Sequence, residues 1–380
     1  MAQKESLVIK NFGPVTDIEI PEIAPYLFLI GESGSGKSTI LKVLAMMRHM
    51  YKQINLRSYL KLGNVIDRTI ELNFSDYLHN GDLDDYKKET TVIIYKKASC
   101  ELEYSKGKLK GSNIIIGSEN LSLEKISFLS DKRGSIASLL ANRSKGEDLG
   151  FYFTETYNDF KLATEHIKKI EIKFLDIRYD EIKSGNGTRQ YFIRGIDNPY
   201  KINFEGASSG MQTVTPLAII AEYYSKKFNI VETFNESVLR LLGKNDSLSA
   251  FRHDMNIGDI PNKTVHLIIE EPELSLFPTA QRFLINDLIK KCQEGMTYMT
   301  LAIATHSPYV INHLNLLFKA HDKGLTIDGA SLDFEKAGLY LVQNGLLQNL
   351  KLKNTHLINT DSLSDDINAI YNEYDKIDKL

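Results

Sequence analysis

Residues 31 to 38 read Gly31-Glu32-Ser33-Gly34-Ser35-Gly36-Lys37-Ser38, a Gly-x-x-x-x-Gly-Lys-Ser spacing suited to holding a phosphate chain. Glycines let the backbone wrap the phosphates so that several N–H groups point inward. A lysine neutralises the β/γ oxygens, and the serine hydroxyl coordinates Mg2+. By chance such a match arises in about one chain per hundred of this length, which disfavours a ligand-free glycine turn. The nucleotide-binding candidates are Gly31, Ser33, Gly34, Ser35, Gly36, Lys37, Ser38 and Thr39, and the ligand they imply is ATP or another nucleoside triphosphate. His266-Leu267-Ile268-Ile269-Glu270-Glu271 is an apolar run ending in two adjacent carboxylates. A phosphate-loop enzyme needs one carboxylate to hold Mg2+, usually through its water shell, and a base or water-positioner beside the γ-phosphate. Glu270, with Ser38, suits the first role and Glu271 the second. Solvation of a strand end is the plainer explanation of two glutamates, and the phosphate loop in the same chain weighs against it.

These groups need a scaffold. Tyr26-Leu27-Phe28-Leu29-Ile30 reads as the buried strand that the loop follows, and Thr39 to Met47 as the helix it opens. Upstream, Ser6 to Lys10 and Val15 to Ile20 read as two strands turned at Asn11-Phe12-Gly13-Pro14. Further β-like runs are Thr69 to Phe74, Thr90 to Lys96, Glu101 to Tyr104 and Asn113 to Ile116, with a hairpin turn at Lys106-Gly107-Lys108. From 121 to 167 the pattern becomes helical and more polar, a helical insertion projecting from the sheet. Strands return at Ile170 to Phe174 and Arg189 to Arg194. A helical stretch runs from Thr213 to Leu242, followed by strand Val265 to Ile269, helix Thr279 to Cys292 and strand Leu301 to Thr305. Gly338 to Val342 adds a last strand, and the acidic tail from Asp361 to Leu380 reads as helix. The expectation is an α/β fold in which residues 1–380 form one unit with insertions.

The chain has 380 residues, 42% hydrophobic and 25% charged, with a net charge of -3. That is a globular composition without global attraction to nucleic acid or anionic membrane. Cys100 and Cys292 are isolated and read as reduced thiols. The start, Met1 to Ser6, lacks the apolar core of a signal peptide. No apolar run approaches the ~20 residues that cross a bilayer. A cytoplasmic protein that does not enter a membrane is expected.

Three further motifs carry a resemblance. The run Glu270-Glu271-Pro272-Glu273 precedes Leu274-Ser275-Leu276-Phe277-Pro278; Ala304-Thr305-His306-Ser307-Pro308 closes a strand; and Ala207-Ser208-Ser209-Gly210-Met211-Gln212 precedes an apolar helix. Together with the phosphate loop, and in this order, the set resembles the ATP-binding cassette class, particularly its SMC/RecF/OLD-like branch. That resemblance implies a P-loop ABC-type ATPase head with a mixed β-sheet, an antiparallel β lobe and helical insertions. It makes His306 the switch histidine that reports the γ-phosphate, and Ser209, Gly210 and Gln212 the signature residues. Ile9 to Pro14 also resembles the branch's opening strand, which places Asn11 and Phe12 near the base and phosphates. Phe277 stands where the branch often has histidine, and Met211 where it has a second glycine. The branch's Q-loop glutamine has no clear equivalent, Gln53 and Gln190 both lying in poor contexts.

In such a class one ATP is completed by two chains, so a homo-oligomer of at least two heads is implied, with ATP and Mg2+ as cofactors. The compact head resembles ATPase subunits of bacterial anti-phage systems of the PARIS or Septu kind, which pair it with a separate effector, often a nuclease. Only 74 residues follow His306, short for the Toprim nuclease that OLD-type proteins append, so an effector in trans is expected. The alternative is a RecF/SMC-like DNA-repair ATPase. Lys96, Lys97, Lys106, Lys108 and Lys110 on the hairpin could then touch DNA phosphates, although solvated hairpin lysines are the preferred explanation. A regulatory nucleotide sensor or a transporter motor is a third reading, the latter disfavoured by the Glu-Glu-Pro-Glu run.

Overall fold

The computed structural model describes residues 3–65, 72–141, 150–183, 185, 187–244, 256–352, 354–360 and 370–377. The chain opens with an antiparallel pair, β1 (Glu5–Phe12) and β2 (Val15–Ile20). β3 (Tyr26–Ile30) is buried at every position and runs through the glycine-rich loop into α1 (Lys37–Leu62). Next come α2 (Phe74–Asn80), β4 (Lys87–Lys97), β5 (Cys100–Ser105), β6 (Lys108–Lys110) and β7 (Ser122–Leu129). After α3 (Ile136–Leu140) and α4 (Phe151–His166) there are four short strands: β8 (Lys169–Ile172), β9 (Ile177–Lys183), β10 (Arg189–Gly195) and β11 (Lys201–Asn203). The second half holds α5 (Ser209–Lys226), α6 (Ile230–Lys244), β12 (Asn262–Glu270), α7 (Pro278–Gln293) and β13 (Tyr298–Thr305). α8 (Pro308–Asp322), β14 (Ala337–Gln343) and β15 (Leu346–Asn349) follow, and then a short antiparallel pair, β16 (Lys351–Leu352) and β17 (Leu357–Ile358).

Among the described residues, eleven strands form one mixed sheet in the order β6-β5-β4-β1-β2-β15-β14-β3-β13-β12-β7. Its core, β14 to β7, is parallel, and the half from β6 to β2 is antiparallel. β11-β10-β9-β8 form a separate antiparallel sheet. The α/β architecture with a mixed sheet and antiparallel parts is thus as expected. Parallel strands are covered on both faces, here with α1 against β7, β12 and β13, and α7 against β13, α5 and α8. Because β3, β13, β12 and β7 run the same way, their carboxyl ends deliver Gly31, His306, Glu271 and Ser130 to one edge of the sheet. That edge is where ligands of open α/β sheets bind.

The helical insertion expected over 121–167 needs correction: it opens with β7, a core strand paired to β12 in parallel. Its polar residues disguised it. Ser122, Glu124 and Ser127 are buried, and each has a partner. The Glu124 carboxylate accepts from Lys97 Nζ at 2.9 Å and Ser122 Oγ at 2.8 Å, and lies 2.6 Å from His266 Nε2. The Asp159 carboxylate accepts from Ser127 and Lys125. After a 3-10 helix over Asp131–Ser135, α-helix begins only at Ile136. The strand expected at Asn113 to Ile116 is also absent, that segment being an irregular connection. Of the run Thr69 to Phe74, residues 69–71 lie outside the described residues and Phe74 begins α2. Residues 361–369 and 378–380 of the acidic tail also lie outside them, while 370–377 are helical.

Candidate functional site

Gly36 caps α1 with a φ of 110° and supplies no side-chain hydrogen bond. The first-turn N–H groups of α1 are therefore open to an anion at the positive end of a 26-residue helix. Gly34 also sits at positive φ, 77°. At Gly31 the constraint is closeness: a side chain there would run into the Val342 carbonyl of β14. Ser33 and Ser38 are exposed, whereas Thr39 is buried at the start of α1.

Lys37 is 4% exposed. Its ammonium donates to the Gly31 carbonyl at 2.8 Å and the Glu32 carbonyl at 2.7 Å, and lies 3.4 Å from His306 Nδ1. Burial lowers its pKa to about 8, against the opposing pull of Glu271, Glu273 and Glu32. Ser38 hydrogen-bonds Glu270, which closes β12 and is 4% exposed. Burial raises the Glu270 pKa, while Lys42 draws it down and Asp131 pushes it further up. The two Mg2+ candidates are thus adjacent. Among the described residues no group of three or more His, Cys, Asp or Glu is placed to hold a metal. One hydroxyl and one carboxylate suit an ion that keeps most of its shell as water and phosphate oxygens.

Glu271 adopts a φ of 44°, a left-handed backbone that costs a non-glycine residue about 1–3 kcal/mol and collects at functional sites. Its N–H donates to the Ala304 carbonyl at 2.8 Å, and its carbonyl accepts from Arg133 Nη2 at 2.6 Å. The turn re-aims its carboxylate toward β13, where Oε1 lies 3.1 Å from His306 Nε2. Glu273, given no separate role from sequence, accepts from the Thr305 hydroxyl and the His306 N–H, both at 2.7 Å. It thereby fixes the end of β13. Lys37, Glu271 and His306, far apart in sequence, are brought together.

The signature candidates lie on the far side of the Glu271–Leu276 loop. Ser209 is exposed at the first residue of α5, and Gly210 is buried. A Cβ on Gly210 would come within 2.7 Å of the Ser275 carbonyl, so this position demands glycine for packing. Thr213 Oγ1 donates to the Leu274 carbonyl at 3.0 Å. Gln212 Nε2 donates to the Glu205 carbonyl at 2.6 Å, which commits its amide donor to its own loop. Phe277 is 78% exposed.

One of the opening-strand candidates is placed differently from expectation, and the other takes a turn position. Phe12 is fully buried, edge-on to Tyr86 with ring centroids 5.8 Å apart, so it is a core residue and not a ligand contact. Asn11, at a φ of 51°, uses its carbonyl to accept from Thr91, a turn role. Pro14 and Val15 are the part of that turn that meets the loop, closest to Gly36. Pro14 also lines a cavity of about 730 Å³ with residues 30–35, His306, Pro308 and Leu341–Gly345. The β14–β15 turn in that wall was missed, although Asn344-Gly345, at φ values of 53° and 74°, is a strong hairpin signal.

Asp131, just past β7, was missed with its strand. Its backbone hydrogen-bonds Glu270. Gln53 sits on α1 in a different cavity, against Leu123 and Phe234, and Gln190 is on the small sheet. On the hairpin, Lys96 pairs with Glu101 at 3.1 Å, Lys110 with Glu103 at 3.0 Å and buried Lys97 with Glu124 at 2.9 Å. Three of the five lysines are therefore locally neutralised.

Over residues 27–312 the sequence matches the family described as "AAA domain, putative AbiEii toxin, Type IV TA system". Among solved structures, an SMC head bound to the C-winged helix domain of ScpA is 11% identical at a TM-score of 0.40, covering 93% of this chain and 99% of that one. The SMC head domain from Thermotoga maritima is 12% identical at 0.35, covering 93% and 100%. The recombination mediator RecF is 10% identical at 0.34, covering 92% and 98%. No curated protein matches the sequence. The family match takes in well over half of the chain, including the phosphate loop, both strand-end glutamates and His306: the chain belongs to the AAA domain family described as putative AbiEii toxin, type IV toxin–antitoxin system.

Proposed function

We propose that this protein is an ATP-hydrolysing switch of the ATP-binding cassette type, in the SMC/RecF/OLD-like branch. In this reading its ATP-dependent self-association controls a separate effector, a nuclease or toxin, in anti-phage defence. The observation that carries it is the contact chain Lys37–His306–Glu271 at the mouth of the loop, 3.4 Å and 3.1 Å long. The family's toxin–antitoxin description supports the defence context. The paired hairpin lysines give the DNA-repair alternative no added support. No described helix is long and apolar enough to cross a membrane.

The residues divide the work as follows. Lys37 exchanges its two carbonyl partners for phosphate oxygens, and the open N–H groups of α1 take the rest of the chain. Mg2+, held by Ser38 and through water by Glu270, would neutralise charge developing on the phosphates. Glu271 orients the attacking water and receives its proton, with His306 holding the carboxylate in place. Exposed Ser209, at the N-terminus of α5, serves the nucleotide of a second copy, so the phosphates favour the paired state. The deciding experiment is Glu271→Gln. The variant should bind ATP, lose turnover and accumulate as an ATP-dependent dimer in light scattering. Wild-type turnover in that variant would remove Glu271 from its assigned role.

A further inference from the structure

Arg133 is fully buried, and its guanidinium holds four carbonyls from three pieces of backbone. Nε donates to the Thr213 carbonyl of α5 at 3.0 Å, Nη1 to the carbonyls of Ser130 at 3.1 Å and Glu270 at 2.7 Å, and Nη2 to that of Glu271 at 2.6 Å. Among the described residues every acceptor is a peptide carbonyl and no carboxylate bonds it directly, Glu273 and Asp131 acting on it only through their charge. A buried cation without a bonded counter-ion is costly, and the planar five-donor fork is the one side chain able to hold this many divergent carbonyls. The bridge joins the first turns of α5, one turn beyond Ser209 and Gly210, to the left-handed peptide of Glu271. Thr213 doubles the link through its hydroxyl on Leu274, and Gly210 closes it against Ser275.

We propose that Arg133 is a positioning residue that couples the Ser209–Gly210 turn to the carboxylate of Glu271, and so couples the two nucleotide sites of the assembled dimer. This rests on the composite-site reading above. In a two-headed assembly, the α5 turn of one copy meets the nucleotide held by the other copy's loop, while Glu271 acts on the nucleotide of its own loop. Arg133 therefore connects groups that serve different ATP molecules. A shift of α5 on engaging one nucleotide is passed by a rigid fork to the strained peptide that aims the water-orienting group at the other.

The test compares wild type, Arg133→Lys and Thr213→Val in ATP titrations of turnover, with nucleotide affinity, ATP-driven dimerisation and melting temperature measured on the same samples. Lysine keeps the charge but loses the fork. Thr213→Val removes one bond of the same bridge and leaves the arginine, which keeps the test informative if Arg133→Lys folds poorly. Wild type should show a Hill coefficient above one. In folded Arg133→Lys it should fall to one, with kcat lowered about tenfold or more and nucleotide affinity and dimerisation within about threefold of wild type. Thr213→Val should move in the same direction by less. A purely structural arginine would lower affinity, dimerisation and melting temperature together, and that pattern overturns the inference. So does a folded Arg133→Lys chain with wild-type kcat and Hill coefficient, or, if that chain does not fold, a Thr213→Val chain indistinguishable from wild type. A wild-type chain that neither turns over ATP nor dimerises overturns the proposed function itself, and the coupling with it.

Discussion

The carboxylate of Glu271 and the imidazole of His306 meet at 3.1 Å, Oε1 to Nε2, across the ends of neighbouring strands. The other ring nitrogen, Nδ1, lies 3.4 Å from the Lys37 ammonium. A charged lysine can only donate, so the tautomer that satisfies both contacts accepts from Lys37 at Nδ1 and donates from Nε2 to Glu271. His306→Gln keeps an amide able to donate to Glu271, whereas His306→Ala removes both contacts. Turnover should fall by a factor of about 10²–10⁴ in the alanine variant, and less in the glutamine variant. Nucleotide affinity should change little in either, because the loop and Lys37 remain. Single-turnover phosphate release beside a fluorescent-nucleotide titration separates the two quantities. Equal losses in both variants would dismiss the donated hydrogen bond.

Gly210 offers a test of packing rather than chemistry. With the Ser275 carbonyl 2.7 Å from where a Cβ would stand, Gly210→Ala must displace backbone that is itself held at a φ of 61°. Overpacking of this kind costs about 1–3 kcal/mol. The shift would fall on the Leu274–Leu276 segment that follows Glu271, so turnover should drop as well as melting temperature. Gly206→Ala, where nothing lies within 4 Å, should be close to neutral. A Gly210→Ala chain with wild-type melting and turnover would show that the loop yields freely.

The parts of the molecule legible in the sequence were those with a period or a motif of their own. The buried run Tyr26–Ile30, the loop, the apolar strand into Glu270 and the His306 strand end all have this character, and their parallel arrangement gathers them at one edge. β7 was not legible because Glu124 and Ser127 look like surface residues until Lys97, His266 and Asp159 arrive from elsewhere to satisfy them. With β7 went Asp131 and Arg133, since only the strand's placement beside β12 brings them to Glu270. Glu273 was visible as a letter in a motif, but its role depends on β13 being the neighbour. Phe12 was read by analogy of position, while its burial is settled by Tyr86, 74 residues away.

Lys37 sets a pH dependence for nucleotide binding. Burial holds the ammonium at a pKa of about 8, below the ordinary lysine value, so above that pH the chain loses the charge that meets the phosphates. Bound phosphate favours the charged form and raises the pKa again. Binding near pH 8.5 should therefore take up protons, and affinity should decline as pH climbs through about 8. Calorimetry of ADP binding in buffers of different ionisation enthalpy measures the uptake directly. Lys37→Arg, charged throughout this range, should show none. Equal proton uptake by both chains would assign the titration to another group.

The polar cluster at the opposite end of the parallel strands contributes to the acid limit of stability, alongside His49 and His313, whose burial also lowers their pKa values. Burial, reinforced by Arg48 and Lys97, lowers the His266 pKa to about 4 despite its contact with Glu124. Burial alone would raise Glu124, but Lys97 and His266 hold it at about 2. For the histidine, the unfolded chain takes up a proton near its ordinary value of 6.5 that the folded chain refuses down to about 4. Stability is therefore full above 6.5 and declines as pH falls through that window. For the glutamate, the unfolded chain protonates near 4.5 and the folded one only near 2, so its contribution is present above 4.5 and lost below it. Both signs agree. The melting temperature should fall from pH 6.5 downward and more steeply below 4.5. His266→Gln, which cannot titrate, should be less stable at pH 7 but flatter between 6.5 and 4.5. A wild-type melting curve unchanged between pH 7 and 5, or a glutamine variant with the full slope, would place the acid sensitivity outside this cluster.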